Sequence, residues 1–295
     1  MEQLKAGFYT ALGTPLDKDG NVVEASLRRE IDMQIEAGAS GLLLMGSMGM
    51  QASVKLDAWA KAAKIAADAA KGRVPLFVGV MDNAISKVKE RLNLISGLNI
   101  YGVVLTAPFY DTASNSELEK FFSDVSDASE YPLFLYDLPV VTKVKITYPL
   151  VEGLIKKGKI RGIKTGDIVL ARQLYQFQPD FEVLYSNIDS FDVAMAYGID
   201  KVLDGMFSCT PTNAKGFIDA YFAGNKNESS KYLNNIISLR DALISFPPSA
   251  LLYLFSEVMN GLGMEGIFCT DYQYVPNAEH AEKIKEIFRQ YGEKC

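Results

Sequence analysis

The sequence predicts an α/β chain folded as a (β/α)8 TIM barrel with a C-terminal helical extension. Three observations predict it. Eight short apolar runs recur along the chain, helical patterns separate them, and glycines stand near the expected helix ends. Most of the runs are continuous rather than alternating, as buried parallel strands require. A strand followed by a helix, repeated eight times, closes into a barrel.

The runs cover residues 8–14, 41–46, 74–80, 101–108, 132–138, 160–164, 182–186 and 201–208. Between them, residues 24–37 carry Leu27, Ile31 and Ile35 at helical spacing. Residues 55–70 are Ala-rich, a strong helix former, with Ser53 placed to cap them. Trp59 lies in that helix, where it would pack against the barrel. Helices are further expected over 85–95, 117–129, 148–157 with Pro149 in the first turn, 168–177 and 191–196. Gly38, Gly72, Gly97, Gly158 and Gly198 fall where a left-handed residue ends a helix. The barrel is assigned to residues 1–224 and the extension to 225–295, with helices over 227–246, 248–262 and 278–291. The competing fold is an open doubly wound sheet, but the G-x-G-x-x-G turn it favours is absent after the first run.

Composition narrows the function classes. The chain has 295 residues, 48% of them hydrophobic, enough for a sizeable core. A net charge of −6 without any block of like charges argues against nucleic acid as a partner. No apolar stretch approaches the roughly 18 residues of a membrane span, and the first residues lack signal-peptide architecture. Cys209, Cys269 and Cys295 are scattered, without metal-ligand spacing, which suits a reducing cytoplasm and leaves no metal site to expect. The single histidine, His280, removes most acid–base schemes built on imidazole.

In a barrel the chemistry sits at the carboxyl ends of the strands. Those ends carry hydroxyls, phenols and one lysine: Thr14, Ser47, Tyr110, Tyr136, Lys164, Ser186 and Ser208. Lys164 closes the sixth run, and Tyr136 stands near the end of the fifth. Desolvation at such a place favours a neutral amine, which attacks a carbonyl to form a Schiff base, with Tyr136 as proton carrier. Spacing alone leaves open a lysine that snorkels to solvent or pairs with Asp167. The turn Gly46-Ser47-Met48-Gly49 could offer N–H groups to a carboxylate or be an ordinary βα turn. Asp82, Asp137 and Asp189 read as helix caps. A phosphate site at strands 7 and 8 is disfavoured by the scarcity of glycine after Ser186 and Ser208.

Taken together and in order, these motifs resemble the dihydrodipicolinate synthase / N-acetylneuraminate lyase family of class I aldolases. The resemblance runs from about Tyr9 to Thr212. It rests on Thr10-Ala11 with Thr14-Pro15, Gly46-Ser47-Met48-Gly49, Pro108-Phe109-Tyr110, Leu135-Tyr136-Asp137-Leu138-Pro139, Gly162-Ile163-Lys164 and Gly205-Met206-Phe207-Ser208. It implies a carbon–carbon lyase whose Lys164 forms a covalent imine with pyruvate or a longer 2-oxo acid and needs no cofactor. Tyr136 would move the proton, and Ser47 would link it to Tyr110 in a hydroxyl relay. The family takes the counterpart of Tyr110 from a neighbouring subunit, so a homodimer or homotetramer is implied. The N–H groups of Ser47 and Met48 would hold the substrate carboxylate, and the Phe207 carbonyl would face the site.

The chain departs from the family at three places. Met48 stands where a second hydroxyl is common, and Met50 where Glu is usual. Val141, with Lys143 nearby, stands where dihydrodipicolinate synthases carry an Arg that recognises a carboxylate of the second substrate. Dihydrodipicolinate synthase activity proper is therefore disfavoured. Asp189-Ser190 only half suggests the acidic pair of neuraminate lyases, so the second substrate stays unnamed. Loops near Asp82, Val141 and Asp189 are expected to shape its pocket. The alternative is a degenerate member that binds a small carboxylate without turnover.

Overall fold

The structure, a computed structural model, describes residues 3–245, 250–273, 278–291 and 293, with backbone alone at 250, 251 and 278–281. Eight parallel strands close into a barrel in sequence order: β1 Gly7–Ala11, β2 Gly41–Leu44, β3 Leu76–Gly79, β4 Gly102–Thr106, β5 Leu133–Asp137, β6 Gly162–Thr165, β7 Glu182–Tyr185 and β8 Lys201–Asp204. The helices are α1 Glu24–Glu36, α2 Leu56–Ala70, α3 Ile85–Leu94, α4 Asn115–Ala128, α5 Pro139–Thr142, α6 Tyr148–Lys156, α7 Ile168–Phe177, α8 Phe191–Ala196 and α9 Pro211–Phe222. Beyond them lie α10 Lys226–Ile244, α11 Ala250–Gly261 and α12 Ala278–Gln290. Phe246, Pro248 and Cys295 lie outside the described residues, as does the side chain of His280.

Strand alternation sorts the core into two layers. One face of each strand packs outward against the helices. The other fills the barrel, where Tyr9, Phe77, Val104, Phe134, Leu184 and Leu203 meet. Phe77 and Phe134 contact edge to face at 4.9 Å. These rings plug the lower half of the barrel, and glycine makes room for them: a Cβ on Gly162 would come within 2.3 Å of the Phe134 ring. The barrel interior is a packed core at the level of these rings, with Tyr136 toward the carboxyl end of the same cluster.

The five glycines expected to end helices all have positive φ, from 66° to 105°. Trp59 is buried between α2 and the barrel, donating from Nε1 to the Gly79 carbonyl at 3.1 Å. Several local expectations are corrected. The first strand stops at Ala11 and the eighth at Asp204, where Gly205 begins a turn leading into the 3-10 segment Met206–Ser208. Ser53 does not cap α2; its N-cap is Lys55, which makes no side-chain capping bond. α4 begins earlier than expected, at Asn115, because Ser114 and Glu117 form a capping box. α5 and α9 were not distinguished in the sequence. α5 is a single turn, and α9 follows the last apolar run without a strand to set it off.

The extension is joined to the barrel's outer core. Leu233, Ile236, Phe255 and Phe268 belong to the same buried cluster as the helix-facing strand residues. Ile267 bridges Leu16, and Leu252, Thr270 and Tyr272 reach the barrel mouth. No helix among the described residues is long and apolar enough to cross a membrane.

Candidate active site

Register aligns the chemical groups. Thr106 pairs with Tyr136 across β4 and β5, and Tyr136 with Lys164 across β5 and β6. Tyr136 belongs to the interior cluster, and the same alternation brings its neighbours Thr106 and Lys164 inward, one layer above the aromatic plug. Lys164 is 5% exposed, and its Nζ sits 3.9 Å from the centroid of the Tyr136 ring. Neither bland alternative for this lysine holds. It does not reach solvent, and Asp167 instead caps α7 and pairs with Lys145. Burial alone would raise the Asp167 carboxyl, but the Lys145 ammonium and the N–H groups of Leu170 and Val169 outweigh it and hold it below the usual carboxylate range.

The Tyr136 hydroxyl lies 3.4 Å from Ser47 Oγ. Ser47 is carried by a tight turn bounded by left-handed residues, Met45 at φ 56° and Met50 at φ 53°. The turn's own bonds are donated by the N–H groups of Met50, Gln51 and Ser53. The N–H groups of Ser47 and Met48 have no partner among the described residues, so they are available to an anion. Thr14 braces the turn by donating to the Gly49 carbonyl at 2.8 Å.

Asp137, Asp82 and Asp189 are not helix caps. Asp137 accepts from the Ile146 N–H at 3.0 Å and the Thr165 hydroxyl at 2.9 Å, clasping the loop that carries α5. Burial pushes its carboxyl up, and those two bonds only partly offset this. Asp82 is paired with Lys87 and Arg91. Asp189 is tied to Arg240 of α10 at 2.8 Å, and the N–H at Asp189 is itself capped by Asn187.

The remaining site residues divide. Val141, on α5, lines a cavity of about 330 Å³ together with Ser47 and Thr106. Met48 packs beside Gly205 at the end of β8. Phe207 has its ring buried against Phe8, and its carbonyl accepts from Thr210 N–H at 3.3 Å. Tyr110 is 84% exposed and stands apart from Ser47 within this chain; its N–H and that of Phe109 bond to Asn83 Oδ1.

Sequence reasoning missed four sets of contributors. Thr106 ends β4 in register with Tyr136, and its place near the end of the fourth run is visible in the sequence. Asn83 anchors the Phe109-Tyr110 loop through side chain to backbone bonds that no pattern announces. Leu252 and Tyr272 arrive from the extension. A fourth group lies behind the site: Glu30 Oε1 accepts from the Gly13 N–H at 2.8 Å and from the Ser208 hydroxyl at 2.9 Å, and Gln34 Nε2 donates to the Ser208 carbonyl at 3.0 Å. These bonds fix the turn that carries Phe207. Burial pushes the Glu30 carboxyl up to about 8, only partly opposed by Gly13 and Ser208, while Oε2 has no partner. No cluster of three metal-ligating side chains occurs among the described residues.

Comparison with known proteins finds relatives over most of the chain. The 4-hydroxy-tetrahydrodipicolinate synthase of Pelobacter propionicus is 28% identical over 240 residues, covering 80% of this chain and 82% of that protein. Two solved structures share the fold. A prophage protein of E. coli K12, of the dihydrodipicolinic acid synthase family and in complex with pyruvate, superposes with a TM-score of 0.88 at 20% identity, covering 98% of this chain and 99% of that one. A Clostridium difficile protein, CdNal, in complex with mannosamine, gives 0.88 at 21% identity, covering 97% and 99%. The family model described as "Dihydrodipicolinate synthetase family" matches residues 4–291. With nearly its whole length matched, the chain belongs to the dihydrodipicolinate synthetase family.

Proposed function

We propose that this protein is a class I aldolase or lyase acting on a 2-oxo acid, with pyruvate as donor or product. The observation that carries the reading is the buried Lys164 amine stacked on Tyr136, whose hydroxyl meets Ser47, at the open end of the barrel. The amine adds to the keto carbon and water leaves, forming the imine. Loss of a proton from the neighbouring carbon gives an enamine. The enamine carbon bonds to an aldehyde carbon, the new alkoxide takes a proton, and water releases the product. Cleavage runs these steps in reverse. Tyr136 carries the proton, Ser47 orients its hydroxyl, and the N–H groups of Ser47 and Met48 hold the carboxylate beside the imine carbon. The Phe207 carbonyl completes the binding site, and Tyr110 enters from a neighbouring subunit. The protein acts in the cytoplasm as a homo-oligomer.

Borohydride added with pyruvate is expected to leave a covalent mass increment on Lys164, absent in Lys164→Ala. No adduct with pyruvate or with any larger 2-oxo acid sinks the reading. The second reading, a carboxylate binder without turnover, draws on Met48, Met50 and Val141. Retro-aldol turnover on any member of a panel of 2-oxo sugar acids excludes it.

A further inference from the structure

We infer that the second substrate, the aldehyde joined to or released from the 2-oxo acid, is neutral and carries an apolar or aromatic substituent. This rests on the aldolase reading above and names the chemistry of its other half. The cavity of about 330 Å³ adjoins the relay through Ser47 and Thr106, and its walls are Met50, Met81, Phe109, Leu138, Val141 and Leu252. Met50 and Val141, far apart in sequence, meet on this one cavity. The left-handed backbone at Met50 lets the chain turn there, leaving Met50 buried at the cavity's edge.

No charged side chain is among the described residues that line it. Of the nearby cations, Lys145 is paired with Asp167 and Lys87 and Arg91 with Asp82, while the exposed Lys143 donates to the Val140 carbonyl and is not part of the lining. Polar groups are also spent. Gln51 Nε2 donates to the Met81 carbonyl at 2.5 Å, and the Thr270 hydroxyl to Gln273 Oε1 at 2.5 Å. The hydroxyls of Ser47, Ser53, Thr106 and Tyr272 remain, and Tyr272 is 81% exposed at the rim rather than enclosed by the cavity's apolar walls. An acceptor with its own carboxylate would bring an uncompensated charge against methionine, valine and leucine, which is strongly unfavourable. The volume stands at the low end for small-ligand sites and suits one ring or a short alkyl chain.

The test measures kcat/KM with pyruvate and a set of aldehydes: benzaldehyde and 3-methylbutanal, succinic semialdehyde, and glyceraldehyde. The neutral apolar pair is expected to lead both others by at least tenfold, and Val141→Arg to shift the ratio toward succinic semialdehyde by a similar factor. Preference for succinic semialdehyde or glyceraldehyde, with the pyruvate adduct still forming at Lys164, overturns the inference and leaves the aldolase reading intact. Should no adduct form, calorimetry with unreactive alcohols decides the cavity's chemistry alone. Benzyl alcohol binding, weakened by Val141→Arg, supports the inference, and tighter binding of 4-hydroxybutyrate overturns it.

Discussion

Tyr136 holds two contacts with separable consequences. Its ring lies under the Lys164 amine, and its hydroxyl faces Ser47. Tyr136→Phe keeps the first and deletes the second. Turnover is therefore expected to fall by about 10²–10⁴, the span of a lost proton carrier, while borohydride still traps pyruvate on Lys164. Loss of trapping together with loss of turnover would instead assign the ring, not the hydroxyl, the main part. Glu30 gives a pH prediction at the same scale. Its folded carboxyl keeps a proton to about 8, whereas an unfolded chain releases it near about 4.3. Between those values the folded state binds more protons, so this group's contribution makes stability fall as pH rises and level off above about 8. Glu30→Gln retains an acceptor for Gly13 and Ser208 without the charge. It should flatten that slope and exceed the wild type by about 1–3 kcal/mol at pH 8. Urea midpoints of both proteins between pH 5 and 9 check this, and parallel profiles would refute it.

Elements convert these residues into a site. β5 and β6 hold Tyr136 and Lys164 level, and Asp137 ties the end of β5 to the loop after α5. The sequence carried the strands because each is a short run bounded by turns, and it carried the helix ends because Gly38, Gly72, Gly97, Gly158 and Gly198 have a backbone reason to be glycine. It did not carry what depends on contacts between distant segments. Asp137 looks like any acid after a strand until Ile146 and Thr165 are seen to converge on it. Ser53 has the chemistry of a cap, yet the left-handed turn at Met50 lets the helix begin later, at Leu56. Thr106 was legible in principle, since it stands near the carboxyl end of the fourth run as Tyr136 does of the fifth. The clasp itself is testable. Asp137→Asn preserves an acceptor and should stay within about 1 kcal/mol of wild type, whereas Asp137→Ala leaves the Ile146 N–H and the Thr165 hydroxyl unpaired and should cost about 1–3 kcal/mol. The alanine variant should also raise KM for the aldehyde, because α5 and Val141 hang from that loop. Denaturant unfolding and steady-state kinetics measure both, and equal behaviour of the two variants would remove Asp137 from the argument.

At the scale of the molecule, one chain brings together the amine, the phenol and Ser47 but leaves Tyr110 outward. Its exposure of 84% is high for a large aromatic side chain whose backbone is held by Asn83. Val140 and Tyr272, also at the barrel's carboxyl end, are exposed at 73% and 81%. Such a rim is what a second copy would cover, and a symmetric pair would exchange the same segment in both directions. A tyrosine fixed at its backbone with its ring exposed is suited to completing a neighbour's relay rather than its own. Sedimentation at micromolar concentration is expected to give a dimer or a tetramer built from it. Complementation then asks whether the site is shared. Lys164→Ala and Tyr110→Phe should each lose most activity alone. Mixed one to one after reversible dissociation, half the dimers are hybrids, and each hybrid holds one site with both an intact Lys164 and a partner's intact Tyr110. Activity should recover to about a quarter of wild type, the random-mixing value for a two-fold pair. A mixture no more active than the average of the two variants would confine the relay to a single chain and leave Tyr110 a surface residue.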